Sequence, residues 1–136
     1  MNRMILVVVS LFFITFSFAQ RTKVAIEPSV KNKFKFENLE ILANDFPDYY
    51  TWDSAKMICE NLGEGWRLPN REELNILFLN RIKIGGFSKN TKYWSSELYS
   101  KNGKIAYEQL FNFQGFKDVS PTYSRCKVRA VRKQHN

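Results

Sequence analysis

Apolar and polar positions along the chain change rhythm several times. Ile5 to Phe18 is an apolar run of 14 residues, interrupted only by Ser10, Thr15 and Ser17. Residues 20–33 are polar, with Pro28 and three lysines, and read as a lead-in. Phe34, Phe36, Leu39, Ile41 and Leu42 form the first dense apolar group, spaced for one or two short strands. A turn follows at 44–48. Trp52, Ala55, Ile58, Cys59 and Leu62 then recur at helical spacing. Thr51 stands where a helix N-cap belongs, Asp53 puts negative charge in the first turn, and Gly63 supplies the stop. Pro69 forces Leu68 out of the helical region. Asn70 with Glu73 three residues later has the form of a capping box. Leu74, Leu77, Phe78 and Ile82 predict the stripe of a second helix, ended by Gly85-Gly86.

Beyond residue 90 the period shortens to two. Tyr93–Tyr99 predicts a strand, Asn102-Gly103 a hairpin turn, and Ile105–Phe113 the returning strand. Gln114-Gly115 and Ser120-Pro121 mark further turns. Cys126–Arg132 reads as a last strand, with Cys126, Val128 and Ala130 on one face and Lys127 and Arg129 on the other. One strand group, two helices and a strand meander predict an α+β domain over 34–136, with helices segregated from an antiparallel sheet.

Arg3, the short apolar run and Ser17-Phe18-Ala19 predict a secretory signal peptide over 1–19. The run falls short of the roughly 20 residues that span hydrocarbon, so no stable membrane span is expected after cleavage. Export changes how Cys59 and Cys126 read. Outside the cytosol, two thiols in one small domain are most simply one disulfide, which would close a long loop and stabilise by about 4 kcal/mol. Two free buried thiols are the alternative, since both fall in segments expected in the core.

The motif run is specific enough to compare. Thr51-Trp52-Asp53-Ser54-Ala55 and Cys59 precede Gly65-Trp66-Arg67-Leu68-Pro69-Asn70 with Glu72-Glu73-Leu74. Then come Ile84-Gly85-Gly86-Phe87, Tyr93-Trp94-Ser95-Ser96 and Val128-Arg129-Ala130-Val131-Arg132. This pattern resembles the bacterial family named for the C-terminal domain of Lcl, a collagen-like adhesin. It is also similar to the major paralogous domains of fibre-degrading bacteria. The resemblance covers about Leu39 to Arg132. It implies a C-type-lectin-like fold with two helices flanking a twisted antiparallel sheet, and a Cys59–Cys126 bridge from the first helix to the last strand. It also implies that Trp52, Trp66 and Trp94 are core residues, and that the function is adhesion or glycan binding.

Little chemistry is available for catalysis. The one histidine, His135, sits in the tail, where a general base is poorly oriented. Zinc wants several His or Cys ligands. The calcium-binding lectins place carboxylates near the stretch that Tyr93-Trp94-Ser95-Ser96 resembles, and none stands there. Glu72 and Glu73 are adjacent and point to different helix faces. Neither a metal nor a cofactor is expected, nor enzymatic activity. An enzyme of this fold would need a cleft holding a strongly shifted carboxylate or tyrosine.

Charge then narrows the partner. The formal net charge is +8. From Lys101 onward there are eight Lys and Arg against two Asp and Glu, whereas residues 20–100 are nearly balanced. Lys101, Lys104, Lys117, Arg125, Lys127 and Arg129 are therefore the expected polyanion patch. For an exported protein the expected partner is acidic polysaccharide rather than nucleic acid. An envelope protein, met through Phe111, Phe113, Phe116 and Tyr123, is the second reading. The expected location is secreted, periplasmic or cell-surface.

Overall fold

A computed structural model describes residues 33–135. The expected signal peptide and most of the lead-in lie outside the described residues. The first strands, β1 (Lys33–Phe36) and β2 (Leu39–Leu42), form a hairpin. Helices α1 (Trp52–Glu60) and α2 (Arg71–Leu79) follow, then a single helical turn, α3 (Arg81–Ile84). β3 (Thr91–Leu98), β4 (Ile105–Phe111) and β5 (Lys117–Pro121) make an antiparallel meander, and β6 (Val131–Lys133) closes the chain. The described residues form two three-stranded antiparallel sheets, ordered β1-β2-β6 and β3-β4-β5.

Local chemistry explains the helix ends. Asn70 Oδ1 accepts the Glu73 N–H at 2.8 Å and Glu73 Oε2 accepts the Asn70 N–H at 2.8 Å, a complete capping box. Arg67 fastens the same carboxylate from outside, at 2.7 and 2.8 Å. α2 stops at Leu79, short of the expected stripe. Ile82, predicted as its last buried residue, is 88% exposed on α3, because the chain leaves the helix at Asn80 and the phase of the stripe is lost.

Two hydrophobic clusters share the interior. Tyr93 and Phe111 join Leu74, Leu77 and Phe78 of α2. Trp94 and Ala106 join Ala55 and Cys59 of α1, with Trp52 and Trp66. Tyr93 and Trp94 are neighbours, so strand alternation sends one to each cluster. All three tryptophans are buried, as the resemblance implied. The indole N–H of Trp94 donates to the Tyr50 carbonyl at 2.7 Å, and that of Trp52 to the Ser95 carbonyl at 2.8 Å. The β3–β4 register shifts between Trp94 and Leu98, next to Ser95.

Residues 126–132 differ from expectation in one respect. They do not form one continuous strand with a wet face; only β6 is regular, and every residue from Cys126 to Arg132 is buried. The segment runs through the middle of the molecule. On one side it bonds to the 42–50 segment, through Leu42 N–H to Ala130 O, Phe46 N–H to Val128 O, and a reciprocal pair between Tyr50 and Cys126. On the other side the Lys127 N–H donates to Lys92 O, the Lys127 carbonyl accepts from Trp94 N–H, and Val131 exchanges a reciprocal pair with Arg67. The face that the alternation would leave wet is covered instead by the 42–50 segment and the α3–β3 loop: Lys127 reaches the Pro47 carbonyl and Arg129 reaches Asp45 and the Gly85 carbonyl, so the alternation is not expressed as inside against outside. Ser120-Pro121, read as a turn, ends β5 instead.

The disulfide is also corrected. Cys59 and Cys126 are both free and buried, members of one apolar cluster. Burial pushes the Cys59 thiol far above its ordinary value and the Cys126 thiol up to about 12, so neither is a ready nucleophile. They pack as small apolar side chains.

Candidate functional site

The six expected patch residues do not act together. Lys127 is buried, its ammonium donating to the Pro47 carbonyl at 2.8 Å and lying 4.7 Å over the Tyr49 ring. Arg129 is buried more deeply and pairs with Asp45, Nε to Oδ1 at 2.8 Å. Both are internal braces rather than contact groups. Buried cations persist only with such partners, which the turn at 44–48 supplies.

The other four are exposed, at two places. Lys101 and Lys104 sit on the β3–β4 hairpin, and the Thr122 N–H donates to the Lys104 carbonyl at 2.9 Å. That bond sets the turn carrying Tyr123 and Arg125 beside the hairpin. Residues 98–107 and 121–127 contain no Asp or Glu, and the exposed carboxylates nearest along the backbone contacts are Glu97, before the hairpin, and Asp53, next to Trp52, whose N–H donates to the Thr122 carbonyl. It also exposes Tyr99 (59%) and Tyr123 (80%). The Tyr99 ring meets Tyr107 edge-on at 5.6 Å, and the Arg71 guanidinium lies 3.8 Å over Tyr107. Lys117 stands four residues along β5 from Pro121, about 13 Å away by strand geometry, so it lies outside that end.

A second feature was not anticipated. A cleft of about 460 Å³ opens at the opposite end of the meander, between the α3–β3 loop and the β4–β5 turn. Ile82, Phe87, Phe111 and Phe113 supply apolar walls, and Arg81 and Lys89 are the charged residues that line it. Phe111, expected as a surface contact, is buried at its base, while Phe113 is 84% exposed. The cleft draws on three segments distant in sequence. The one local signal was Ile82, an apolar residue left over once α2 ends at Asn80.

A buried polar cluster fixes the loop that forms one wall. Arg129 Nη1 donates to the carbonyls of Leu42, Ala43 and Gly85 at 2.9, 3.2 and 3.2 Å. The Tyr93 hydroxyl donates to Asp45 Oδ2 at 2.5 Å and accepts the Ser88 N–H at 2.7 Å. Phe87 stacks on the Arg129 guanidinium at 3.8 Å. Gly86 has φ +71°, and a Cβ there would lie 2.3 Å from the Ala43 carbonyl, so a side chain would push the loop off its support.

Catalytic groups are not arranged around the cleft. Burial first, and then the Asp45 charge and hydrogen bond, push the Tyr93 hydroxyl well above its ordinary value. A phenol so held keeps its proton, and Tyr93 does not line the cleft. Burial likewise raises the Glu108 carboxyl despite the Lys92 partner, but Glu108 lies on β4 away from the cleft, its side chain closed to solvent. Among the described residues no three His, Cys, Asp or Glu side chains form a group able to hold a metal ion, and no helix is long and apolar enough to cross a membrane.

The fold has counterparts among solved structures. EMS16, an antagonist of the collagen receptor integrin α2β1, superposes with a TM-score of 0.56 at 13% identity, over 76% of this chain and 98% of its own. Botrocetin superposes with a TM-score of 0.58 at 11% identity, over 77% of this chain and 98% of its own. The fold is C-type-lectin-like. No protein-family model matches the chain, and no curated protein matches it either. At such identities the C-type-lectin-like likeness concerns architecture.

Proposed function

We propose that the chain is an exported, non-enzymatic binding module that holds an acidic polysaccharide at the end formed by the β3–β4 hairpin and the 122–125 turn. The observation that carries this reading is the grouping there of Lys101, Lys104 and Arg125 with exposed Tyr99 and Tyr123, with no carboxylate in either segment. Cations attract the acidic groups of a polymer and aromatic faces stack on its sugar rings, so the two residue types suit one ligand. The sequence resemblance to the Lcl C-terminal domain supports the same reading, as do the apolar run and small residues at 1–19, which suit an export signal. EMS16 lends support of a coarser kind, as a C-type-lectin-like protein described by the receptor it antagonises.

Retention of the purified protein on a heparin matrix and on an acidic bacterial polysaccharide, eluted with rising salt, tests it. The triple variant Lys101→Glu, Lys104→Glu, Arg125→Glu elutes at markedly lower salt, and Lys117→Glu shifts elution less. Unchanged elution of the triple variant removes the proposal. A second reading, docking on an envelope protein, is favoured by one observation, the exposure of Phe113 and Phe116 on the β4–β5 turn. It expects co-purification that Phe113→Ser abolishes and the triple charge reversal leaves intact.

A further inference from the structure

We infer that the cleft between the α3–β3 loop and the β4–β5 turn binds a small amphipathic anion, an aryl or alkyl group ending in a carboxylate or sulfonate. The inference is independent of the polysaccharide reading, which concerns the opposite end of the meander. A volume of about 460 Å³ lies in the range of small-molecule sites, roughly 300–1,000 Å³. The cleft is preformed. Arg129 and Tyr93 hold the Gly85 carbonyl and the Ser88 N–H, and the Asn90 N–H ties the loop to the Phe111 carbonyl at 2.8 Å. Phe87 leans on Phe111 with ring centres 5.0 Å apart. Such a wall does not need to be ordered by the ligand, which removes one cost of binding.

The polar groups of the lining select the sign of the ligand. Arg81, at the edge of the cleft, is held by its bond to the Phe78 carbonyl at 2.8 Å and by stacking on the Phe78 ring at 4.1 Å. Lys89 is exposed and has no ion-pair partner among the described residues. Asn112 Oδ1 is already taken by the N–H groups of Gln114 and Gly115, which leaves that side chain its amide donors. No Asp or Glu lines the cleft. Apolar walls, two cations and an amide donor match a hydrophobic body with one anionic head. Ile82 and Phe113, two of its walls, remain largely exposed, an apolar surface that a ligand would cover.

The test uses anilinonaphthalene sulfonate and its uncharged counterpart, phenylnaphthylamine, titrated into the folded protein and followed by fluorescence. One saturable site is expected for the sulfonate. Lys89→Glu weakens it about tenfold and changes the uncharged probe less than twofold, whereas Ile82→Asp weakens both. Both positions are exposed, so unfolding transitions matching the parent's establish that the variants fold. Octanoate displaces the sulfonate and octanol at equal concentration does not. Amide shifts on adding octanoate concentrate at residues 81–90 and 111–113. Absence of a saturable site, equal effects of Lys89→Glu on both probes, or shifts located at the 99–105 hairpin would each overturn the inference. So would binding to phosphatidylglycerol vesicles without binding of monomeric octanoate, which would make the cleft a membrane contact.

Discussion

Glu108 and Lys92 form a lopsided pair. The carboxylate has no exposed side-chain surface, whereas Lys92 is 45% exposed, and their charged atoms lie 2.7 Å apart. Glu108 Oε2 has no hydrogen-bond partner. Removing either partner therefore has different consequences. Lys92→Met leaves a buried carboxylate with nothing to offset its lost hydration. Breaking a buried pair in this way costs about 3–5 kcal/mol, and the half-exposed lysine, already shared with solvent, brings the expected loss to about 2 kcal/mol. For a domain near 100 residues that is a fall in Tm of about 8–16 °C. Glu108→Gln removes the charge that burial penalises and returns Lys92 to water, so it changes stability by less than about 1 kcal/mol. Acidity sharpens the contrast. A carboxyl raised by burial contributes most below 4.5, the ordinary value, and this contribution declines as pH rises toward the folded value. The deficit of Lys92→Met thus shrinks between pH 7 and pH 4, as Glu108 takes up its proton. Urea unfolding of parent and both variants at the two pH values measures this. A larger loss for Glu108→Gln than for Lys92→Met at pH 7 would refute the argument.

Four further expectations concern the scaffold. Under native conditions neither Cys59 nor Cys126 reacts with iodoacetamide, and in denaturant without reductant both do, giving two adducts by mass spectrometry; a mass lower by two hydrogens with no adducts would show a bridge instead. Asn70→Ala removes the capping box and costs about 1 kcal/mol by chemical denaturation. Burial pushes the Glu73 carboxyl up, but Arg67 and the Asn70 N–H outweigh it and hold it below 4.5, so its contribution is present above pH 4.5 and lost as pH falls through the folded value; Glu73→Gln flattens that acid limb. Gly115→Ala forces a Cβ to within 2.2 Å of the Phe78 ring at φ +66°, and is expected to lower Tm by more than Asn70→Ala does.

Local signals in the sequence translated well into local structure. The capping box at Asn70, the positive-φ turn at Gly63 after α1 and the Asn102-Gly103 hairpin need only short-range geometry, and each is present, whereas Gly85 ends the short α3 rather than α2. What failed depended on partners far along the chain. Lys127 and Arg129 alternate with apolar residues as solvent-facing cations do, yet Asp45 and Pro47, some 80 residues earlier, supply their internal partners. Only the register of the closing segment against the 42–50 segment creates those sites, and no local pattern states that register. The cleft was invisible for the same reason. Its walls come from Ile82, Phe87 and Phe113, which no single periodicity joins.

The threaded closing segment has a consequence for how the protein comes into being. Ile41 must find Val131 within one sheet, and Lys92 and Trp94 of the other must find Lys127, before the closing segment joins the two. Val131 stands ninety positions after Ile41 and has to be synthesised first, and contacts of such sequence separation form slowly. A chain of this design completes its core late, once the last of these distant partners has been synthesised.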